Sequence, residues 1–88
     1  MQSKLTIDEY GTKRWRLPNG KFHREDGPTV EWKDGSKMWL INGEYHKENG
    51  AAVQYYDGEK EWYLNGIKYT EQEYKYKMRF IKLKQLLK

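Results

Sequence analysis

The chain has 88 residues, 17 Lys and Arg against 13 Asp and Glu, and no Cys. That length allows one domain with a thin core, and the lack of Cys excludes thiolate chemistry, zinc ribbons and disulfide staples. Charged residues make up 34% of the chain, yet four Trp, eight Tyr and two Phe are far too many aromatics for a disordered segment, so the predicted core is aromatic. No stretch approaches the roughly 18 apolar residues of a membrane span. The reading is a soluble, cytoplasmic protein without a cofactor or metal.

The charge divides unevenly. Residues 74–88 carry six bases (Lys75, Lys77, Arg79, Lys82, Lys84, Lys88) and no acid. Within the remainder, residues 13–24 carry five bases (Lys13, Arg14, Arg16, Lys21, Arg24) and again no acid. Two basic patches on a near-neutral body form an asymmetry that attracts a polyanion.

Residues 11–28, 35–51 and 58–74 read as one unit written three times, with Asn-Gly pairs at 19, 42 and 65 setting a period of 23. Trp15, Trp39 and Trp62 follow the opening Gly by four residues, and Lys13, Lys37 and Lys60 follow it by two. Asn-Gly and Asp-Gly between alternating segments are strong hairpin signals, because a type I′ turn needs positive φ at both central residues.

In chain order, the first hairpin carries Pro18 as an extra residue, so a three-residue Pro-Asn-Gly loop or bulge is predicted to keep Trp15 opposite His23. A two-residue turn at Asp34-Gly35 pairs Trp32 with Lys37 and Val30 with Trp39. Asn42-Gly43 pairs Ile41 with Glu44 and Trp39 with His46. The third unit repeats this, with Tyr55 facing Lys60, Val53 facing Trp62, and Trp62 facing Tyr69. Thr6, Trp15, Val30, Trp32, Trp39, Val53, Tyr55 and Trp62 would then share the buried face. Arg14, Arg16, Met38, Leu40, Tyr45, Glu61 and Tyr63 would occupy a variable face.

Thr70-Glu71-Gln72-Glu73 fits a capping box, and no Gly or Pro follows, which predicts a helix over about residues 71–87, roughly 25 Å long. Tyr76, Phe80, Leu83 and Leu87 form one stripe, and Tyr74, Met78, Ile81 and Gln85 a second, nearly opposite. Two basic rows run between them, Lys75, Arg79 and Lys82 in one and Lys77, Lys84 and Lys88 in the other. Packing on one sheet needs one stripe, so the other implies a partner, most economically a second copy in a homodimer. The fold class is mainly β: an antiparallel meander of three hairpin repeats over residues 1–70, closed by a basic amphipathic helix over residues 71–88.

The unit D-G-x-K-x-W-x-x-N-G-x-x-H-[RK]-E-[DN]-G, read from Asp34 to Gly50 and in part in its neighbours, resembles the MORN-like (membrane occupation and recognition nexus) repeats. The variant is the one found in phages, large DNA viruses and bacterial YwqK-type proteins. The resemblance spans about residues 5–70. With the short basic chain and terminal helix, the whole is also similar to small T-even phage proteins of the ToxN-inhibitory, TifA-like type, which implies counter-defence against an RNA-dependent toxin–antitoxin system.

Each candidate residue also has a local explanation. Lys37 and Lys60 would cover Trp32 and Tyr55 by cation–π contact, and Lys13 would pair with Asp8. His23 and His46 have no third ligand and pack beside Trp residues. Glu25-Asp26 and Glu48-Asn49 precede turn glycines. No phosphate loop, HExxH motif or activated nucleophile is present, so no enzyme activity is expected. Aromatics among bases suit single-stranded RNA, whose bases stack while cations neutralise phosphates. The predicted contacts are Lys13, Arg14, Arg16, Lys21 and Arg24 with the six helix bases, and the partner is RNA or an RNA–toxin complex. The alternatives are a protein partner, reached through the helix and a Met38/Leu40/Tyr45 patch, or a small anionic nucleotide.

Overall fold

Asn42 and Gly43 take φ of 49° and 82°, and Asn65 and Gly66 take 50° and 80°. Both Asn-Gly pairs thus close type I′ hairpins, in which Asn tolerates the left-handed region that other side chains avoid. Around these turns the computed structural model, which describes residues 2–87, has nine short antiparallel strands and one helix. The strands are β1 (Lys4–Ile7), β2 (Lys13–Arg16), β3 (Val30–Glu31), β4 (Lys37–Met38), β5 (Leu40–Ile41), β6 (Glu44–Tyr45), β7 (Val53–Gln54), β8 (Lys60–Leu64) and β9 (Ile67–Tyr69). The helix is α1 (Glu71–Leu86). Seven strands pair in the order β1-β2-β3-β4-β7-β8-β9, and β5 and β6 form a hairpin beside them. The chain forms a slab 45 × 33 × 17 Å. Among the described residues, no helix is long and apolar enough to cross a membrane.

The first hairpin carries the expected three-residue loop. The Leu17 amide donates to Lys21 O at 2.9 Å around Pro18-Asn19-Gly20, Gly20 has a φ of 88°, and His23 N–H reaches Trp15 O at 3.1 Å.

The Asp-Gly turns differ from expectation. The Trp32 amide donates to Ser36 O at 3.0 Å and Tyr55 N–H to Glu59 O at 2.8 Å, so each loop holds three residues rather than two. The reason is the aspartate: Asp34 Oδ1 accepts the Ser36 amide at 2.8 Å and Asp57 Oδ1 the Glu59 amide at 3.0 Å. Each Asp keeps negative φ, and only Gly35 and Gly58 turn left-handed. The extra residue slides the register, so Val30 pairs with Met38 and Val53 with Glu61, while Lys37 and Lys60 face Glu31 and Gln54. A one-residue slip exchanges faces. Val30, Met38 and Val53 therefore line one side, and Lys60, Trp62 and Leu64 line the other.

The core is correspondingly less aromatic than predicted. Its buried members are Leu17, Val30, Leu40, Ala51, Ala52, Val53, Leu64, Tyr74 and Met78, while all four Trp are half-buried and Thr6 and Tyr55 are exposed. Close approach of successive units excludes large side chains at their contact. The Trp15 amide donates to Thr29 O at 3.0 Å and the Trp39 amide to Ala52 O at 2.8 Å, and Thr29 and Ala52 are both 0% exposed. Leu40, assigned to the exposed variable face, is buried against Thr29, whose hydroxyl bonds both its amide and its carbonyl.

The Asn42-Gly43 and Asn65-Gly66 turns each hang on the hairpin before them. His23 Nδ1 accepts the Asn42 amide and His46 Nδ1 the Asn65 amide, both at 3.0 Å. Gly43 N–H donates to Phe22 O at 2.8 Å and Gly66 N–H to Tyr45 O at 2.9 Å. The recurring histidines are therefore turn acceptors between units as well as packing residues.

Helix α1 begins with the expected capping box. Thr70 Oγ1 accepts the Glu73 amide at 3.1 Å, and Glu73 Oε1 accepts the Thr70 amide at 2.9 Å. The Tyr74/Met78/Ile81 stripe packs on Leu64, Trp62 and Tyr69. Tyr74 Oη donates to Lys47 O and accepts the Gly50 amide at 3.2 Å, tying α1 to the loop after β6. The opposite stripe stays open, with Tyr76 61%, Phe80 50%, Leu83 50% and Leu87 87% exposed. Both stripes were candidates for a partner interface, and Tyr74, Met78 and Ile81 are instead intramolecular contacts.

Candidate nucleic-acid interface

The two basic patches seen in the sequence meet different fates. Arg14, on β2, bonds Asp8 Oδ2 at 2.7 Å, and this hydrogen bond, with the Thr12 amide at 3.0 Å, holds the Asp8 carboxylate below its ordinary range. Lys13, expected to make that pair, instead stands in register with Ile7 and Glu31. Arg24 lies 4.4 Å from the Trp15 ring centroid, bonds Asp26 at 2.9 Å and Pro28 O at 3.2 Å, and stands 3.8 Å from Glu31. Arg16 covers Phe22 at 4.8 Å, so that ring is already stacked. Lys21 runs its stem past Gly43. In the first hairpin, then, two of the five bases, Arg14 and Arg24, are neutralised by carboxylates.

The helix bases divide as well. Lys75, Arg79 and Lys82 face an open groove of about 750 Å³ between α1, β8 and the loop after β6, where Lys47, Lys60 and Trp62 complete the wall. Lys77 and Lys84 are exposed and stand outside this groove, and Lys88 lies outside the described residues. The groove is lined by five bases against two acids, Glu48 and Glu71. Glu48 sits 3.1 Å from His46 and Glu71 is 3.4 Å from Lys75, so among the described residues Lys47, Lys60, Arg79 and Lys82 have no carboxylate partner.

The position of Lys47 shows the electrostatic consequence. Its ammonium sits 3.5 Å from the Trp39 centroid, and burial, then the nearby charges of Lys37 and Lys60, lower its pKa from the usual lysine value. Like charges held together without counter-charges favour an incoming anion, which relieves their repulsion.

Of the repeated lysines only Lys60 lines this groove, and the sequence reading gives it and Lys37 a different role. Lys37 and Lys60 were expected over Trp32 and Tyr55, but the register slip moves them opposite Glu31 and Gln54. Over tryptophan the cations are instead Arg24 and Lys47, each following the turn-accepting histidine. The His-Arg and His-Lys pairs at 23–24 and 46–47 were the available signal for this. The Met38/Leu40/Tyr45 patch does not form as a continuous surface. Leu40 is buried, and Tyr45 Oη donates to Met38 Sδ at 3.4 Å.

Comparison with protein-family models, with curated proteins and with solved structures finds no match to this chain.

Proposed function

We propose that the protein is a non-catalytic binding module that holds RNA, alone or within an RNA-containing complex, along the groove between α1 and β8. One observation carries this reading: Lys47, Lys60, Arg79 and Lys82 converge on one open groove without carboxylate partners. Neutralising phosphates there releases counterions, so affinity falls steeply with salt. Its resemblance to ToxN-inhibitory phage proteins extends the reading to a role: engaging an RNA-dependent toxin together with its RNA in the host cytoplasm.

The test is fluorescence anisotropy of a short labelled single-stranded RNA at two salt concentrations, with wild-type protein and a Lys75→Glu/Arg79→Glu/Lys82→Glu variant. Salt-sensitive binding abolished by the variant supports the reading. Equal affinity in both proteins refutes it.

A second reading is favoured by the exposed Tyr76/Phe80/Leu83/Leu87 stripe, a protein contact and in the simplest case a homodimer through α1. Light scattering of the wild type and of Phe80→Glu decides it, with a dimer mass that halves in the variant as the expected result.

A further inference from the structure

Three tryptophans occupy one position in the repeated unit, and two of them are covered by a cation. Arg24 lies over Trp15 at 4.4 Å and Lys47 over Trp39 at 3.5 Å, each supplied by the residue after the histidine of the same unit. The third unit has Tyr69 where the histidine would be and Thr70 where the cation would be. Thr70 is committed to capping α1, its hydroxyl accepting the Glu73 amide at 3.1 Å. Trp62 therefore has no cation from its own unit. It packs against the Leu64, Tyr74 and Met78 cluster while also lining the basic groove, and it remains half-buried.

We infer that Trp62 is a stacking platform for one unpaired base of a single-stranded nucleic acid whose phosphates lie along Lys47, Lys60, Arg79 and Lys82. The inference rests on the RNA-binding reading of the groove and narrows its ligand. A groove of about 750 Å³ falls within the range of roughly 300–1,000 Å³ typical of small-ligand clefts. It combines an aromatic wall with unpaired cations, so its complement carries both a planar ring and phosphate. A duplex hides the faces of its bases and a bare polyphosphate has none; a single strand offers both groups. Lys60, two residues before Trp62 on β8, shares its side of the strand and places positive charge beside the ring.

The experiment compares wild type, Trp62→Leu and Trp62→Phe for binding to labelled oligoadenylate, and to inorganic polyphosphate of matched charge by competition, at one salt concentration. Wild type should bind both. Trp62→Leu should lose about 5- to 150-fold on oligoadenylate, the affinity that one stacked base supplies. It should keep its polyphosphate affinity, which also shows that fold and groove are intact, and Trp62→Phe should retain most of the oligoadenylate affinity. Unchanged oligoadenylate binding by Trp62→Leu, or an equal loss on both ligands, overturns the stacking inference while leaving the groove reading standing. Failure of the wild type to bind either ligand overturns the groove reading and this inference with it.

Discussion

Tyr74→Phe removes one oxygen from the joint between α1 and the loop that borders the basic groove. The Tyr74 hydroxyl, on a residue 5% exposed, donates to Lys47 O and accepts the Gly50 amide, joining the first turn of α1 to the loop that carries Lys47. Burial pushes its phenol pKa up, so the group stays a neutral donor across the working pH range. Without the oxygen, a carbonyl and an amide lose their partner. Each such loss costs about 1–3 kcal/mol when fully buried, and these part-buried groups sit at the lower end, giving about 2 kcal/mol in all. For a domain of this size that is a fall of about 8–16 °C in Tm. Thermal and urea unfolding followed by far-UV circular dichroism measure it. Tyr76→Phe, on the exposed side of α1, serves as the control and should stay within about 0.5 kcal/mol. A Tyr74→Phe change as small as the control would mean that water replaces the hydroxyl freely and that α1 is held by apolar contact alone. RNA affinity should fall with stability, since the same joint positions Lys47.

Further predictions concern the turns, the ion pairs and the groove. His23→Ala leaves the Asn42 amide without its acceptor in a part-buried hydrogen bond and should cost about 1–3 kcal/mol in urea unfolding, more than His46→Ala, whose bond to the Asn65 amide is exposed. The Asp8 carboxylate has a lowered pKa in the folded protein, so its contribution is present above the unfolded value of about 3.9 and fades as pH falls through the lower folded value. Asp8→Asn should accordingly flatten the acid limb of stability against pH below about pH 4. Lys60→Ala or Arg79→Ala should reduce the magnitude of the slope of log affinity against log salt by about 0.7 each for single-stranded RNA. Arg14→Gln and Arg24→Gln should leave that slope unchanged and reduce Tm instead. Filling the groove with inorganic polyphosphate should raise the Lys47 pKa, read by NMR titration of the ammonium signals, because the anion offsets the repulsion from Lys37 and Lys60.

The sequence legibly encodes features that depend on a few neighbouring residues. Asn42-Gly43 and Asn65-Gly66 form the turns their chemistry demands, the Pro18 insertion lengthens its loop, and Thr70 and Glu73 cap α1 reciprocally. The mainly β architecture with one terminal helix follows from these signals repeated along the chain. Asp34 and Asp57 were misread because Asx-type bonding competes with the I′ turn within a few residues, and a loop longer by one residue exchanges the faces of the following strand.

Tertiary structure decided what no local pattern carries. Both stripes of α1 are apolar in sequence, and the packing of Tyr74 and Met78 against Leu64 chose between them. That choice turned Lys75, Arg79 and Lys82 towards Lys47 and Lys60 and turned Lys77 and Lys84 away. Charge counts along the chain marked Arg14 and Arg24 as free bases, because a carboxylate that neutralises a base across a strand pair or a loop is invisible to a linear count. Short-range bonding is written in adjacent residues, whereas convergence of charge depends on which surfaces bury each other, and burial is a property of the whole fold.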